Sequence, residues 1–253
     1  MTEGLQLVGK RAGLVVQDCL PKLRHFCEHD AYADYDLAGY RHASEPDRFH
    51  PDLLTATNRA MRARSPRKAW TPFMQGPIKE LARIPVDADL VESSDDEYAT
   101  ARIDLERCYR VLTAAKWITD MSASKMLYLK RPRLVAISDS YVREMLAIAE
   151  PDPARYPWRV EYCTTRALRV SDAMRAVGLH NVEFLEHLQS AMSDTVERIG
   201  AGCQTPMSLS KARIIDILLW VDAAIASGHQ TWRPLADSAG WNSILLSIRA
   251  SRN

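Results

Sequence analysis

Asp139 is the residue whose setting most clearly suggests chemistry. It follows a short apolar run, residues 134–137, and precedes a stretch whose periodicity places Val142, Met145 and Leu146 on one helical face. A carboxylate at a helix N-terminus is kept ionised by the free amides and by the helix dipole. Such a carboxylate can stabilise an oxocarbenium-like sugar and orient a water molecule for attack. Asp is also among the preferred helix caps, so the same residue can have a purely structural role.

The segment 117–142 that contains Asp139 has the layout of helices joined by a tight turn. A helix ends near Ala115, a turn follows to about Asp120, and a second helix begins near Ser122. An apolar linker then leads to Asp139, which opens a third helix. Side chains that could contact phosphate occur along this segment: Thr119, Ser124, Lys125, Lys130, Arg131 and Arg133. A second basic group precedes it in the chain: Arg59, Arg62, Arg64, Arg67 and Lys68.

This layout resembles the helix-hairpin-helix DNA glycosylase superfamily, in which the hairpin grips backbone phosphate and a carboxylate at the start of the next helix does the chemistry. The likeness runs from the helix near Tyr98 to the helix ending near Glu150, about a fifth of the chain. More loosely, the chain is similar to an uncharacterised group of bacterial proteins with the pattern S-K-x-L-x-x-x-R-P-x-L-x-x-x-x-D-S. The matching residues are Ser124, Lys125, Leu127, Arg131, Pro132, Leu134, Asp139 and Ser140.

The resemblance implies a mostly α-helical glycosylase-like fold with Asp139 as the catalytic carboxylate. A base must leave the stack before such a group can reach its glycosidic bond, so aromatic or apolar pocket walls are needed. The residues expected to form this base pocket are Trp70, Trp117 and Tyr141. The expected partner is double-stranded DNA. The target base stays open, and a modified base of foreign or phage DNA would give the protein a role in antiviral defence.

Three positions depart from the pattern of the superfamily. The hairpin usually carries two glycines, and this chain has Trp117 and Thr119 in their places. Met121 lies where bifunctional members carry a lysine nucleophile. The resemblance therefore implies a monofunctional glycosylase that acts by water attack, without a metal or another cofactor. Loss of the hairpin glycines favours a second hypothesis, in which the helical fold binds DNA or a protein partner without catalysis.

Two other groups of residues suggest a function or a structural role. The motif H-x-x-E-H begins at His25 and ends at His29, which would share one helical face. These histidines could hold zinc in a hydrolase, and the sequence assigns no third ligand. Arg213, Asp216 and Trp220 follow one face of a helix otherwise made of Ile and Leu. Because buried charges need pairing, this pattern favours a structural salt bridge over a substrate pocket.

Composition and charge narrow the class of protein. Hydrophobic residues make up 47% and charged residues 26% of the 253 residues, as in ordinary globular proteins. The formal net charge of +1 gives no global attraction to nucleic acid, so any DNA-binding surface must be local. Five cysteines without a C-x-x-C pair, and an N-terminus without the layout of a signal peptide, predict a cytoplasmic protein. No membrane span is predicted, and the oligomeric state stays open.

The fold expected from the whole sequence is mostly helical, built as one core or as two packed helical lobes. Residues 1–97 are expected to form a helical and irregular region of the same core, and residues 98–253 a helical domain. Within the first region, residues 5–30 are expected to be helical and residues 31–51 an extended connection. The strand signal is confined to the apolar run 134–137, which also fits a buried linker.

Overall fold

A computed structural model of the protein describes residues 4–61, 65–152, 159–201 and 207–250. Within these ranges the fold is mostly helical, with one short antiparallel sheet of strands β1 (Leu5–Gln6) and β2 (Val15–Val16). The helices are α1 (Cys19–Glu28), α2 (Asp30–Arg41), α3 (Pro51–Met61), α4 (Arg67–Met74), α5 (Asp95–Ala114), α6 (Asp120–Tyr128), α7 (Ser140–Met145), α8 (Arg159–His180), α9 (Val182–Ile199), α10 (Lys211–Ala226), α11 (Trp232–Ala239) and α12 (Ile244–Ala250). None of these described helices combines the length and apolar character needed to cross a lipid bilayer.

Helix α10 is the centre of the fold. Nearly all its side chains are buried, and it packs against α1, α7, α8, α9, α11 and α12. These neighbours come from both ends of the chain, and the buried apolar residues join in a single cluster. Residues from the first 97 positions therefore share one core with the rest of the described chain.

The N-terminal segment differs from the helix expected over residues 5–30. Leu5 pairs with Val16 and Gln6 with Val15, so this part of the chain is a β-hairpin. The turn between the strands contains two glycines with φ of +64° and +84°, a backbone conformation that strongly favours glycine. The hairpin leaves only the second half of the expected helix, which becomes α1.

Residues 31–51 were expected to be extended, and most of them instead form α2. Tyr32, Tyr35 and Ala38 recur at helical spacing and are buried. These tyrosines provide the apolar face that the prediction lacked. Gly39 lets α2 approach the end of α6 closely, because a Cβ atom there would lie 2.7 Å from the carbonyl oxygen of Leu129.

The run 134–137 is a buried linker and not a strand. Its four side chains are at most 2% exposed. No strand is assigned to these residues, and the described sheet contains only β1 and β2. The linker connects the end of α6 to the start of α7, so its packing fixes where Asp139 lies.

Candidate active site

The turn between α5 and α6 contains a non-glycine residue with a positive φ. Trp117 has a φ of +77°, in the left-handed region that a non-glycine residue adopts only with strain. Arg159 of α8 holds the turn by donating hydrogen bonds to the carbonyl groups of Thr113, Ala115 and Ile118. Trp117 therefore has a backbone conformation that glycine would adopt without strain.

Helix α6 begins with a capping box. The Thr119 hydroxyl accepts a hydrogen bond from the Ser122 amide, and the Thr119 amide donates to Ser122 Oγ at 3.0 Å. These bonds satisfy the Thr119 amide within the chain. The first turn of α6 leaves further backbone amides without an intrahelical acceptor, as at any helix N-terminus.

Two α6 side chains attach the segment before Asp139 to this helix. The Ser138 amide donates to Ser124 Oγ at 3.0 Å, and the Ser138 hydroxyl donates to Asp120 Oδ2 at 2.6 Å. Asp120 is fully buried and also accepts a hydrogen bond from Arg166. Ser124, predicted to contact DNA, is fully buried and instead positions Asp139.

Asp139 is the N-cap of α7, which confirms the expectation that it opens a helix. Its Oδ1 atom accepts a hydrogen bond from the Tyr141 amide at 3.0 Å. Its Oδ2 atom accepts one from the Lys125 ammonium at 3.1 Å. The side chain of Lys125 is 2% exposed and that of Asp139 is 11% exposed. This ion pair is therefore almost buried, with its carboxylate the more accessible partner.

The Asp139 carboxylate lies at a cavity of about 210 Å³. The Trp220 ring is the central aromatic wall, with the rings of Tyr32 at 5.6 Å, His229 at 5.8 Å and Tyr141 at 6.0 Å between centroids. The full lining is Tyr32, Ala60, Met121, Lys125, Asp139, Ser140, Tyr141, Trp220 and His229. The cavity thus combines one carboxylate, one ammonium group and aromatic walls.

A second charged cluster is buried on α10, the helix that also carries Trp220. Arg213 is buried and bridges Asp36, at 3.0 Å, and Asp216, at 2.5 Å. The structure confirms the salt bridge predicted between Arg213 and Asp216. Burial raises the pKa of Asp216 to about 6; Arg213 opposes this rise and the charge of Asp139 adds to it. The buried cluster and the cavity carboxylate therefore interact electrostatically.

The three residues predicted to form the base pocket lie in three different places. Tyr141 lines the cavity. Trp70 is fully buried on α4 and packs edge-on against Phe49, so it is a core residue. Trp117 is 56% exposed at the hairpin turn, outside the cavity lining. Trp70 belongs to the buried apolar face of α4, and Trp117 lies at an exposed turn with a strained backbone. Neither tryptophan is therefore a wall of the cavity.

Most of the predicted phosphate-contacting cations are used inside the protein. Lys130 is buried and donates to the carbonyl groups of His42 and Glu45. Arg131 is 1% exposed and donates to Asp47 and to several backbone carbonyls. The half-exposed Arg133 pairs with two acidic residues, Asp89 and Glu92. Their prediction as DNA contacts is therefore not supported, because burial and internal acceptors give them structural roles.

The described members of the earlier basic group are exposed. Arg59 is 67% exposed and precedes Ala60, which lines the cavity. Arg67 and Lys68 are exposed at the start of α4. The remaining members of the group, Arg62 and Arg64, lie outside the described residues.

The H-x-x-E-H motif of α1 packs against aromatic rings. The His25 ring lies edge-on to Trp232 at 5.2 Å, and the His29 ring lies 4.9 Å from that of Tyr32. Among the described residues, no third histidine, cysteine or carboxylate completes a metal site with these two histidines. The zinc hydrolase hypothesis therefore gains no support from this motif.

Three wall residues of the cavity were not predicted as pocket residues: Tyr32, Trp220 and His229. Tyr32 was hidden because its segment was expected to be extended. Trp220 had a usable signal, since it is a large amphipathic ring near charged residues on an otherwise apolar helix. His229 follows the end of α10, and nothing in its local sequence indicates a return to the cavity.

Comparison with known proteins places the chain in a family without giving it an activity. No curated protein and no solved structure matches it significantly. The DUF6308 family, a family of unknown function, matches residues 23–223, which include the cavity residues from Tyr32 to Trp220. Because this match covers well over half of the chain, the protein belongs to the DUF6308 family.

Proposed function

We propose that the protein is a monofunctional DNA glycosylase-like enzyme with Asp139 as its catalytic carboxylate. The observation that carries the proposal is the position of Asp139, at the start of α7 and facing an aromatic cavity next to a helix-turn-helix unit. A helix-hairpin-helix glycosylase fold would place its carboxylate in the same setting. The proposal therefore rests on local geometry and on the chemistry of the lining residues.

The cavity suits a single flipped base. Its volume of about 210 Å³ is smaller than the roughly 300–1,000 Å³ of pockets for drug-sized ligands. Aromatic faces such as those of Tyr141 and Trp220 are the kind of surface on which an extruded base stacks. A base held there would bring its sugar to the cavity mouth.

Asp139 keeps capacity for a water molecule after its structural bonds are counted. A carboxylate has about four acceptor positions. The Tyr141 amide, the Ser140 hydroxyl and the Lys125 ammonium use three of them, which leaves one for water. In the proposed reaction the bond between C1′ and the base nitrogen breaks, and its electron pair leaves with the base. Water then adds to C1′ and passes its proton to the Asp139 carboxylate.

Lys125 also lines the cavity, and its side-chain nitrogen is a possible nucleophile. It lies one helical turn beyond Met121 on α6. An ammonium group must lose its proton before it can attack a sugar carbon. The Lys125 nitrogen instead donates to Asp139 Oδ2 at 3.1 Å and is held in this ion pair. The proposed enzyme therefore uses water as the nucleophile, which keeps it monofunctional.

The DNA surface of the proposed enzyme differs from the one predicted from sequence. Arg67, Lys68 and Lys116 are exposed cations that could contact phosphate, and the exposed Arg59 could do so after leaving its ion pair with Asp34. A local basic surface of this kind is consistent with the near-neutral charge of the whole chain.

An abasic-site assay tests the activity. Purified protein would be incubated with genomic DNA from ordinary and heavily modified sources, including phages, and the DNA would then be treated with alkali. We expect alkali-dependent strand breaks with the wild-type protein, and a loss of about a hundredfold or more with Asp139→Asn. Borohydride should not trap a covalent complex, because water is the nucleophile.

The matched control is Asp237→Asn, which makes the same chemical change at an exposed position of α11. It should cleave like the wild type. Equal activity of Asp139→Asn and Asp237→Asn would contradict the proposal. Trapping by borohydride that disappears in Lys125→Met would instead assign the chemistry to the lysine.

A second candidate function is DNA binding without catalysis. The observation that favours it is the buried ion pair, in which Lys125 already neutralises the carboxylate. No abasic sites on any DNA, with binding unchanged by Asp139→Asn, would support this alternative.

A further inference from the structure

A group of metal-binding side chains lies on the connection between α2 and α3, which is not part of the cavity lining. His42 directly follows α2, His50 directly precedes α3, and Asp52 is in the first turn of α3. One ligand atom from each of the three lies within 4.8 Å of the other two. Two imidazoles and a carboxylate form a donor set that zinc commonly takes.

The geometry of the two rings is unusual for histidines without a shared partner. The rings of His42 and His50 are stacked, with centroids 4.0 Å apart and planes 12° apart. His42 Nε2 lies 2.5 Å from Asp52 Oδ2. The buried Nε2 atom of His50 has no hydrogen-bond partner and lies 3.4 Å from Glu45 Oε1. A buried ring nitrogen without a hydrogen bond is a group that a metal ion would satisfy.

The backbone that carries these side chains is held from the protein interior. The Lys130 ammonium donates to the carbonyl groups of His42, at 3.2 Å, and Glu45, at 2.9 Å. Arg131 donates to the Pro46 carbonyl and to the Asp47 carboxylate. These bonds fix the loop before any ion binds, which lowers the entropy lost on ligation.

The charges around the group permit a dication. Asp52 and Glu45 supply two carboxylates, and Lys130 and Arg48 are the cations that act on His50. Side-chain exposures of 15% to 54% leave an entry path for the ion.

We propose that His42, His50 and Asp52 bind a first-row divalent metal ion, best matched by Zn²⁺, with Glu45 as a fourth ligand. In a tetrahedral site with bonds of about 2.0–2.1 Å, ligand atoms lie roughly 3.3 Å apart. The three ligand atoms now lie within 4.8 Å of one another, so the site would contract on binding the ion. The ion would join the end of α2 to the start of α3, so it would stabilise this connection.

Zinc titration of the full chain without a histidine tag tests the site. Protein stripped with a chelator would be titrated with Zn²⁺ in competition with a chromophoric chelator. We expect one ion per chain and a rise in Tm. His50→Ala and Asp52→Asn should each lower the affinity at least about tenfold, since even outer partners of metal ligands have effects of that size.

The matched controls are His25→Ala and His29→Ala, which remove the other histidine pair. Both should bind zinc like the wild type, with circular dichroism confirming that every variant is folded. Binding of less than one ion per chain at micromolar zinc would overturn the proposal. So would binding that is lost in the α1 variants and kept in His50→Ala.

Discussion

Two buried lysine–aspartate pairs in the described part of the chain have the same separation and different surroundings. Lys22 and Asp222 lie 3.1 Å apart and are both fully buried. Lys125 and Asp139 also lie 3.1 Å apart, and their side chains are 2% and 11% exposed. The contrast shows that the distance within an ion pair does not separate a structural pair from a functional one.

The difference lies in what completes each pair. Lys22 also donates to the carbonyl groups of Gln17 and Asn242, and Asp222 accepts from Ser243 and from the Leu245 amide. Other protein groups therefore form hydrogen bonds with both members of this pair. The Asp139 carboxylate instead borders a cavity with aromatic walls. A ligand can reach only the second pair.

The largest expected effect is on stability, in the variant Asp222→Asn. It would leave the Lys22 ammonium buried beside a neutral amide, which should lower the free energy of unfolding by about 3–5 kcal/mol. Asp139→Asn should lower it by only about 1–2 kcal/mol, because Asn still caps α7 and water in the cavity can reach Lys125. Urea denaturation followed by circular dichroism measures both values.

The two variants also serve as controls for each other. Equal losses of stability would show that the Asp139 pair is as enclosed as the Asp222 pair. The proposed cavity would then be too small or too dry to admit a ligand. A smaller loss for Asp139→Asn keeps the comparison intact.

The next prediction concerns the pH dependence of stability. It depends on the electrostatic interaction between Asp139 at the cavity and Asp216 in the core. Folding raises the pKa of Asp216 from 3.8 to about 6. Between these values the native state binds more protons than the unfolded state, so the free energy of unfolding falls as pH rises from about 4 to about 6. A shift of this size corresponds to at most about 3 kcal/mol.

Denaturation of wild type and Asp216→Asn at several pH values measures this contribution. The stability of the variant relative to wild type should rise from pH 4 to pH 6 and stay level above it. Asp139→Asn should lower the pKa of Asp216 in the native state, because the charge of Asp139 is one cause of its raised pKa. The pH range over which stability changes should then be narrower. A stability difference between Asp216→Asn and wild type that does not change with pH would contradict the raised pKa of Asp216.

The sequence predicted the parts of the fold that depend on local pattern. The spacing of apolar residues located α8, α9 and α10, and the position of Asp139 before an apolar periodic stretch gave the start of α7. The segment from residue 30 to 41 failed because its buried face is made of tyrosines, which the apolar pattern did not include. Tertiary packing, which no local window contains, decided that segment.

The same contrast between local sequence pattern and tertiary packing applies to the candidate site. Asp139 and Tyr141 follow from the local sequence and lie together at the cavity. Lys130 and Arg131 were expected at the surface because of their charge, and internal carbonyl groups bind them instead. Such acceptors come from residues more than 45 positions away, so a basic stretch does not reveal whether its cations face solvent.

The smallest expected effect tests the strained residue in the turn between α5 and α6. At Trp117, with its φ of +77°, Gly avoids the steric clash that any side chain with a Cβ atom has. Trp117→Gly should therefore be more stable than Trp117→Ala by about 0.5–1 kcal/mol, the reverse of the order expected in ordinary backbone. Both variants lose the Trp117 contact with Lys116, so their difference reports the backbone alone.

The same two variants bear on the use of the hairpin. If the turn holds phosphate through its backbone, Gly allows closer approach of DNA, and Trp117→Gly should bind a short duplex more tightly than Trp117→Ala. Fluorescence anisotropy of a labelled duplex at fixed salt measures this difference. Equal binding, with the stability difference present, would show that the hairpin is a structural turn and that DNA contacts the cavity side alone. If Trp117→Gly and Trp117→Ala were equally stable, the backbone at this position would not favour glycine. The likeness of this turn to glycine-containing DNA-binding hairpins would then have no support.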